Sequence, residues 1–555
     1  MESKELKSDV RQEVGHEEGL SQTPYREQET EGLRRVADKI PIAAWFIIVN
    51  EFCERFAYYG GSAPFTNYVQ FPAGDPNQAG ALNKGQATAT AWKQFFTFFC
   101  YFTPLLGAVI ADQYLGKYKT ILIFSSIYML GWFILTITSI PSIMMQAGYP
   151  GYIVSLFVIG LGTGGIKPLV SPMAADQYTQ KELEYRVIKG ERVIVDPELN
   201  TQHLYNWFYW AINVGSLIGG IVTPQLELHI GFWLAYLVPT VMFGMAITVF
   251  VAGNKMYNKV PPSGESAIVK AYHTMAYARR RIRRAGVKPK HYLDAAKSNP
   301  EGFPPETEEE LKHRRWNDRF VDDLKQTLMA CKIFIPLTVY WISYNQITSN
   351  LISQAAVMKL PPNLPNDIIT NIDPIALVIL IPIMDIAIYP TLRKLRMNPR
   401  PMTRIFLGFI LGALAMLCSA LVQNEIYRRR DHGEDLLSVW WQIPAYVLIA
   451  VSEIFASITS LEYSYTHAPD SLKGMVSALA LLPNAVAALI GILLSPVSQD
   501  PYLTWMYAGV SIACFVVGVL FWFVFKHYDR LDDEIKRTRA EYRNEEIVEN
   551  DKLGE

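Results

Sequence analysis

Apolar stretches of about 20 residues recur twelve times along this chain, and each is long enough to cross a hydrocarbon core as a helix. They fall at about 41–66, 87–111, 119–141, 150–174, 204–223, 231–253, 327–357, 371–391, 402–423, 438–465, 472–496 and 502–525. So much continuous apolar sequence points to an all-α integral membrane protein with twelve transmembrane helices in two sets of six. Half of the 555 residues are hydrophobic and only 19% are charged; the net charge of −1 gives no reason to expect nucleic acid as a partner.

The charges collect in three places, which divides the chain into a tail (1–40), a first bundle (41–253), a basic linker (254–326), a second bundle (327–525) and a second tail (526–555). The first tail lacks the apolar core of a signal peptide and is expected to be disordered. The linker contains "ARRRIRR" at 278–284, and "GKYK" at 116–119 and "RKLRMNPR" at 393–400 fall on the same side. Loops on the other side carry few basic residues apart from "YRRRDH" at 427–432, so both termini are expected in the cytosol. The linker stretch "AIVKAYHTMAYARRRIRR" reads as a short helix with a basic face for solvent, anionic lipid or a regulator. The five cysteines, Cys53, Cys100, Cys331, Cys418 and Cys514, all fall in predicted spans, and neither a disulfide framework nor a metal cluster is implied.

One span carries charge where lipid should be. In "EFCERFAYYG", at 51–60, Glu51, Glu54, Arg55 and Tyr58 fall within an arc of roughly 100° on a helix. Each charge near the bilayer centre costs about 2.5–3.5 kcal/mol, so this face must meet partners or a wet cavity. Local pairing that only holds the bundle is one reading; a proton relay or substrate path is the other. Few partners exist: Lys167 in the fourth span, Asp373 and Asp385 in the eighth, Glu453 and Glu462 in the tenth. Lys167 is the expected counter-ion for a first-span glutamate, with snorkelling to the membrane surface as its alternative. Gly160, Gly162 and Gly165 match the spacing GxGxxG, but an apolar helix precedes them, so neither a dinucleotide fold nor a phosphate loop is supported.

"EFCERFAYYG", "GTGGIKP" followed by "ADQY", and "FYWAINVGSL" at 208–217 together resemble the signatures of the proton-coupled oligopeptide transporter family. "GAVIADQYLGKYKT" at 107–120 is similar to a loop signature of the wider major facilitator superfamily, and the insertion "IKGERVIVDPELNTQHLYNWFYW" is similar to the fungal di- and tripeptide permeases. The resemblance covers about residues 41–525. It implies the major facilitator fold, two six-helix bundles opening alternately to either side of the plasma membrane, and a symporter importing di- and tripeptides with protons. It assigns proton coupling to Glu51, Glu54, Arg55 and Lys167. It puts the peptide carboxylate on Arg55 and Lys167 and its amino group on Glu453. Tyr59, Tyr101, Tyr209, Asn213 and Trp341 match cavity-lining positions. No cofactor beyond the coupling protons is implied, and a monomer is expected.

The family's outer charged gate is absent: an arginine, an aspartate and a histidine found in many members are replaced by Ser62, Asn345 and Gln94. Losing all three leaves no ion stranded, so the gate is expected to be uncharged rather than broken. Asp373 stands where asparagine is usual, and either adds an acidic contact for the peptide ammonium or caps its helix. Carriage of nitrate or another small anion, and a receptor that signals without transport, are the rival readings. An enzyme is the weakest, since no nucleophile, base and orienting group occur together.

Overall fold

The computed structural model describes residues 34–528, apart from 76–77, 180–182, 189–190, 263, 288, 290, 299, 301–302, 304–313, 385–387, 389–390, 392–399 and 470–471. Most of both tails, Asp385 and the basic residues 393–399 therefore lie outside the described residues.

The first six segments are Ile42–Arg55 continued by Phe56–Gly60 and Phe65–Gln70, then Gln86–Ile110, Gly116–Thr138, Pro141–Ile166, Pro197–His229 and Phe232–Ala252. The seventh is Phe334–Tyr344 with Asn350–Ala356, and the eighth Asn366–Asn371 with Ile372–Ile383. Pro401–His432 forms the ninth, Ile443–Glu453 through Thr459–His467 the tenth, and Lys473–Leu494 and Leu503–Phe525 the last two. Nine helical stretches among the described residues are long and apolar enough to cross a membrane, and one of them, Gln86–Thr138, contains both the second and third segments. The first and fifth segments are helical but too polar to qualify. These two carry the "EFCERFAYYG" and "FYWAINVGSL" motifs, so the shortfall marks the faces that turn away from lipid.

Each bundle has its own apolar core, one built between Ala43 and Tyr257 and the others between Cys331 and Phe525. Glycines let the motif-bearing helices touch backbone to backbone. A Cβ on Gly215 would lie 2.5 Å from the Phe52 carbonyl oxygen, and one on Gly219 would lie 2.6 Å from that of Phe56. The fifth segment therefore lies directly on the charged turn of the first. Likewise a Cβ on Gly107 would lie 2.0 Å from the Gly164 carbonyl oxygen, which joins the second and fourth segments just before Lys167.

The insertion between the fourth and fifth segments forms a hairpin of β2 (Glu184–Ile188) and β3 (Glu191–Val195), paired antiparallel with Glu184 opposite Val195. The expectation of a disordered tail through residue 40 fails at its end. Arg34–Val36 forms β1, parallel to β3 with Arg34 opposite Val193, because β3 offers a free hydrogen-bonding edge. Arg186 fastens the turn beyond β1 by pairing with Asp38 at 2.9 Å.

The linker is more than a solvated strap. Its helix, Ala267–Ala285, packs Ala271 and Ala278 with Leu293, Trp316 and Phe320 against Leu472 and Met475 at the start of the eleventh segment. At its other end the Gly264 amide donates to the Asp112 carbonyl in the first bundle at 3.2 Å.

Replacing Gly219 with leucine should overpack the first–fifth contact by about 1–3 kcal/mol. A lower unfolding midpoint of the purified protein in detergent is expected; an unchanged midpoint would refute the backbone contact.

Candidate functional site

The last turn of Ile42–Arg55 gathers the charged side chains on its buried face. Arg55 Nε lies 3.0 Å from Glu51 Oε1 and Arg55 Nη2 lies 2.5 Å from Glu54 Oε2, and Glu54 is completely buried. The spacing read from sequence holds through Arg55 because this part is a regular α-helix. Directly after it, Phe56–Gly60 widens into a π-helical turn, a feature common at functional sites because it re-aims side chains. Tyr58 consequently turns inward and is buried, whereas Tyr59 is 40% exposed.

Lys167 departs from expectation. No carboxylate among the described residues lies within ion-pair distance of its ammonium. The ammonium sits instead over aromatic faces, 3.6 Å from the centroid of Tyr101 and 5.5 Å from that of Tyr58, in cation–π contact. Arg55 takes both glutamates because it shares their helix, so Lys167 is left without a hydrogen-bond partner. Its nitrogen is nonetheless buried, which also rules out snorkelling to the surface.

The second bundle supplies the opposite charge. Glu453 ends the helix Ile443–Glu453, and a π-helical turn, Ile454–Ile458, follows it as one follows Arg55. Asp373 is buried in the first turn of Ile372–Ile383, accepts a hydrogen bond from the Tyr344 hydroxyl at 3.2 Å and makes no side-chain cap to its helix. Among the described residues Oδ1 of Asp373 and Oε2 of Glu453 have no hydrogen-bond partner. Trp341 packs edge-on against Tyr344 with ring centroids 5.1 Å apart.

Tyrosines connect the two poles. Tyr59 lies within electrostatic range of Arg55, Lys167 and Glu453, and Tyr101 of Arg55 and Glu453. Tyr209 lies near Glu453 and Asp373, and Asn213 donates to the Tyr209 carbonyl at 2.8 Å. Tyr209 belongs to the first bundle yet lies near Glu453 and Asp373 of the second, so these residues face one another across the boundary between the bundles. All eleven predicted site residues thus belong to one region. A cavity lined by Lys270, His273, Arg280 and Arg284 lies apart from them, under the linker helix.

Among the described residues, the side-chain hydrogen bonds between bundles lie at the end of the molecule remote from the chain termini. Thr90 donates to Asn350 at 3.0 Å, Ser353 to Gln70 at 2.6 Å, and Gln78 to the Ala356 carbonyl at 3.0 Å. The three neutral gate residues are here but do not meet as a triad. Asn345 donates to Asn484 at 3.0 Å, Gln94 to Ser349 at 3.5 Å, and the Ser62 carbonyl accepts from Lys93 at 2.6 Å. This end is closed, and Lys93, Glu227 and Asp367 are all buried in it. Sequence reasoning passed over these three, although a lysine inside "ATAWKQFFTF" is a charge within a span and was a usable signal. No group of three histidine, cysteine or carboxylate side chains suited to a metal occurs among the described residues.

Two helical bundles meeting around a charged, aromatic cavity closed at one end define a membrane transporter of the major facilitator type. The sequence model of the POT family matches residues 118–511, and the chain belongs to that family. A peptide transporter of Candidozyma auris is 42% identical over 92% of this chain and 88% of its own length. The peptide transporter PTR2 of Saccharomyces cerevisiae is 41% identical over 94% and 84% respectively. The crystal structure of an autoinhibited POT family peptide transporter superposes with a TM-score of 0.69 at 24% identity, covering 88% of this chain and 97% of that one.

Removing Arg55 would strand two buried carboxylates, a loss of about 3–5 kcal/mol when one partner of a buried ion pair is deleted. Arg55→Ala should therefore lower the unfolding midpoint at neutral pH, and acidification should restore part of the loss by neutralising Glu51 and Glu54. A midpoint equal to wild type at both pH values would refute the pairing.

Proposed function

We propose that this protein is a proton-coupled symporter that imports di- and tripeptides, as a monomer, across the plasma membrane by alternating access. The observation that carries this reading is the pair of uncommitted poles in one cavity. Among the described residues Lys167 has no acidic partner within ion-pair distance, and Glu453 and Asp373, in the other bundle, each have an oxygen without a hydrogen-bond partner. A peptide of any sequence presents a carboxylate and an ammonium several ångströms apart. Bound with its carboxylate toward Lys167 and Arg55 and its amino group toward Glu453 and Asp373, it would engage both bundles at once. Tyr59, Tyr101, Tyr209, Asn213 and Trp341 supply a wet, aromatic surround that tolerates varied side chains.

Proton coupling follows from competition. Arg55 is held by Glu51 and Glu54, so its guanidinium is free for substrate only when a proton neutralises one of them. Protons from the acidic side would thereby raise the affinity for the peptide carboxylate, and by reciprocity bound peptide favours protonation. The termini and the basic linker are cytosolic in this scheme, consistent with the positive-inside bias, and the closed end faces the exterior. Relatives named as peptide transporters support the substrate class.

Glu453→Gln should reduce uptake of labelled dipeptide by reconstituted protein at least tenfold, equivalent to about 1.4 kcal/mol or more of lost ammonium binding. A tripeptide should be affected similarly. If nitrate uptake replaced peptide uptake in the wild type, or if Glu453→Gln transported at the wild-type rate, the reading would fail. Glu54→Gln should flatten the rise of uptake with falling external pH, since the glutamine cannot release a proton; fully proton-driven uptake by that variant would remove Glu54 from the coupling step.

A further inference from the structure

The closed end of the cavity contains three ionisable side chains that the transport scheme does not use. Glu227, near the end of the fifth segment, is 3% exposed; Asp367, in the turn leading into the eighth, is 0% exposed; Lys93, in the second, is 5% exposed. They come from both bundles and meet at the seam. Glu227 Oε1 accepts a hydrogen bond from Asn67 Nδ2 at 2.8 Å. The same amide donates to Asn366 Oδ1 at 2.8 Å, and Asn366 Nδ2 returns a bond to Asn67 Oδ1 at 3.0 Å. Asn67 thus commits both its protons and its oxygen, and the chain from Glu227 through Asn67 to Asn366 fastens one bundle to the other.

Charge balance in this seam is uneven. Lys93 lies within electrostatic range of Asp367, and Asp367 lies within range of Glu227. One ammonium facing two buried carboxylates leaves a negative charge uncompensated, and two close carboxylates in a dry site cannot both stay ionised without large cost. Lys93 is within electrostatic range of Asp367 but donates to the Ser62 carbonyl, and among the described residues both Asp367 oxygens are buried without a hydrogen-bond partner. Glu227 has no cation within ion-pair distance among the described residues, one oxygen satisfied by Asn67 and the other, Oε2, buried with no partner. The other titratable groups nearby among the described residues are Tyr68 on the first segment, Tyr152 on the fourth, Tyr236 on the sixth, Tyr446 on the tenth, Asp373 one helical turn and more beyond Asp367, and the exposed His229 on the fifth. None of them adds a buried positive charge.

We propose that Glu227 is a second proton-binding site, separate from the Glu51–Glu54–Arg55 cluster, which holds a proton while the outer end is closed and releases it when that end opens to water. Opening separates Asn67 from Asn366 and hydrates the seam, where the glutamate ionises. Closing buries it, which favours the neutral acid. Because the closed form then binds one more proton than the open form, acid stabilises closure, and the closed-to-open ratio shifts by up to tenfold per pH unit from this group alone. The proton enters and leaves at the same face, so Glu227 gates the outer end and adds nothing to the number of protons carried per cycle. The assignment of this face to the exterior rests on the proposed transport topology; the existence of the site does not.

The test uses the full-length protein in lipid nanodiscs without peptide, so that a failure of the peptide reading would leave the result intact. Spin labels on Ala73→Cys and Pro362→Cys, at exposed positions on opposite bundles beside the seam, report the closed and open populations by electron–electron distance measurement across a pH series. Relative to the unmutated carrier, Glu227→Gln should populate the closed form at every pH and remove up to a tenfold change per pH unit from the response. Glu227→Asp, which keeps a titrating group, should retain the response. A Glu227→Gln protein whose populations follow pH as steeply as wild type would overturn the proposal, and so would a well-folded Glu227→Asp protein that had lost the response.

Discussion

The structure depends on how Arg55 is neutralised. A guanidinium and two carboxylates within five residues of one membrane helix would be prohibitive if each faced lipid, since the cost is about 2.5–3.5 kcal/mol per charge. Pairing within the helix removes most of that cost, and the glycine contacts bring the fifth segment against the same turn and exclude lipid from it. The same geometry makes the cluster responsive. Arg55 has two carboxylate partners that a proton can neutralise, so its availability depends on protonation. Lys167 completes the arrangement by remaining outside it, held by the faces of Tyr101 and Tyr58 rather than by an acid.

The two ends of the molecule are built on different principles. At the closed end, contacts between bundles are made chiefly by amides and hydroxyls, which bond with modest net energy and exchange readily for water. Such a seam can open repeatedly, whereas an apolar interface of that size would resist hydration. In the middle, the uncommitted charges stand on opposite bundles, with Tyr59, Tyr101 and Tyr209 in range of Glu453 across the boundary. The linker bridges the bundles at the other end through a backbone contact to Asp112 and an apolar patch under Leu472 and Met475. It is a folded strap that joins the bundles without crossing the cavity.

Much of this was legible in the sequence because lipid imposes simple rules. Apolar length gave the segments, and an ionisable residue in a segment marked the cavity, so Glu51, Glu54, Arg55, Lys167, Asp373 and Glu453 could be selected without coordinates. The pairing within that set could not. Lys167 was the reasonable partner for a first-segment glutamate by charge, but Arg55 has the advantage of position on the same helix. Lys93, inside its segment, carried a usable signal, whereas Glu227 and Asp367 stand near segment ends, where charge is ordinarily solvated, and nothing in a linear reading distinguishes an end that is wet from one buried in a seam. The strand Arg34–Val36 was equally hidden, because it pairs with β3, an edge strand more than 150 residues away.

The sequence by itself determined that this chain is a bundle of membrane helices, which helices have a polar face, and which family it belongs to, because burial in lipid and motif spacing are local properties. Tertiary structure decided which charges are satisfied and which remain available. That depends on which helix faces which across the bundle boundary, on π-helical turns that redirect Tyr58 and Tyr59, and on which end of the cavity is closed. "EFCERFAYYG" specifies a charged turn; only the packing of the fifth segment, the distance to Lys167 and the seam at Asn67 make that turn one wall of a gated cavity.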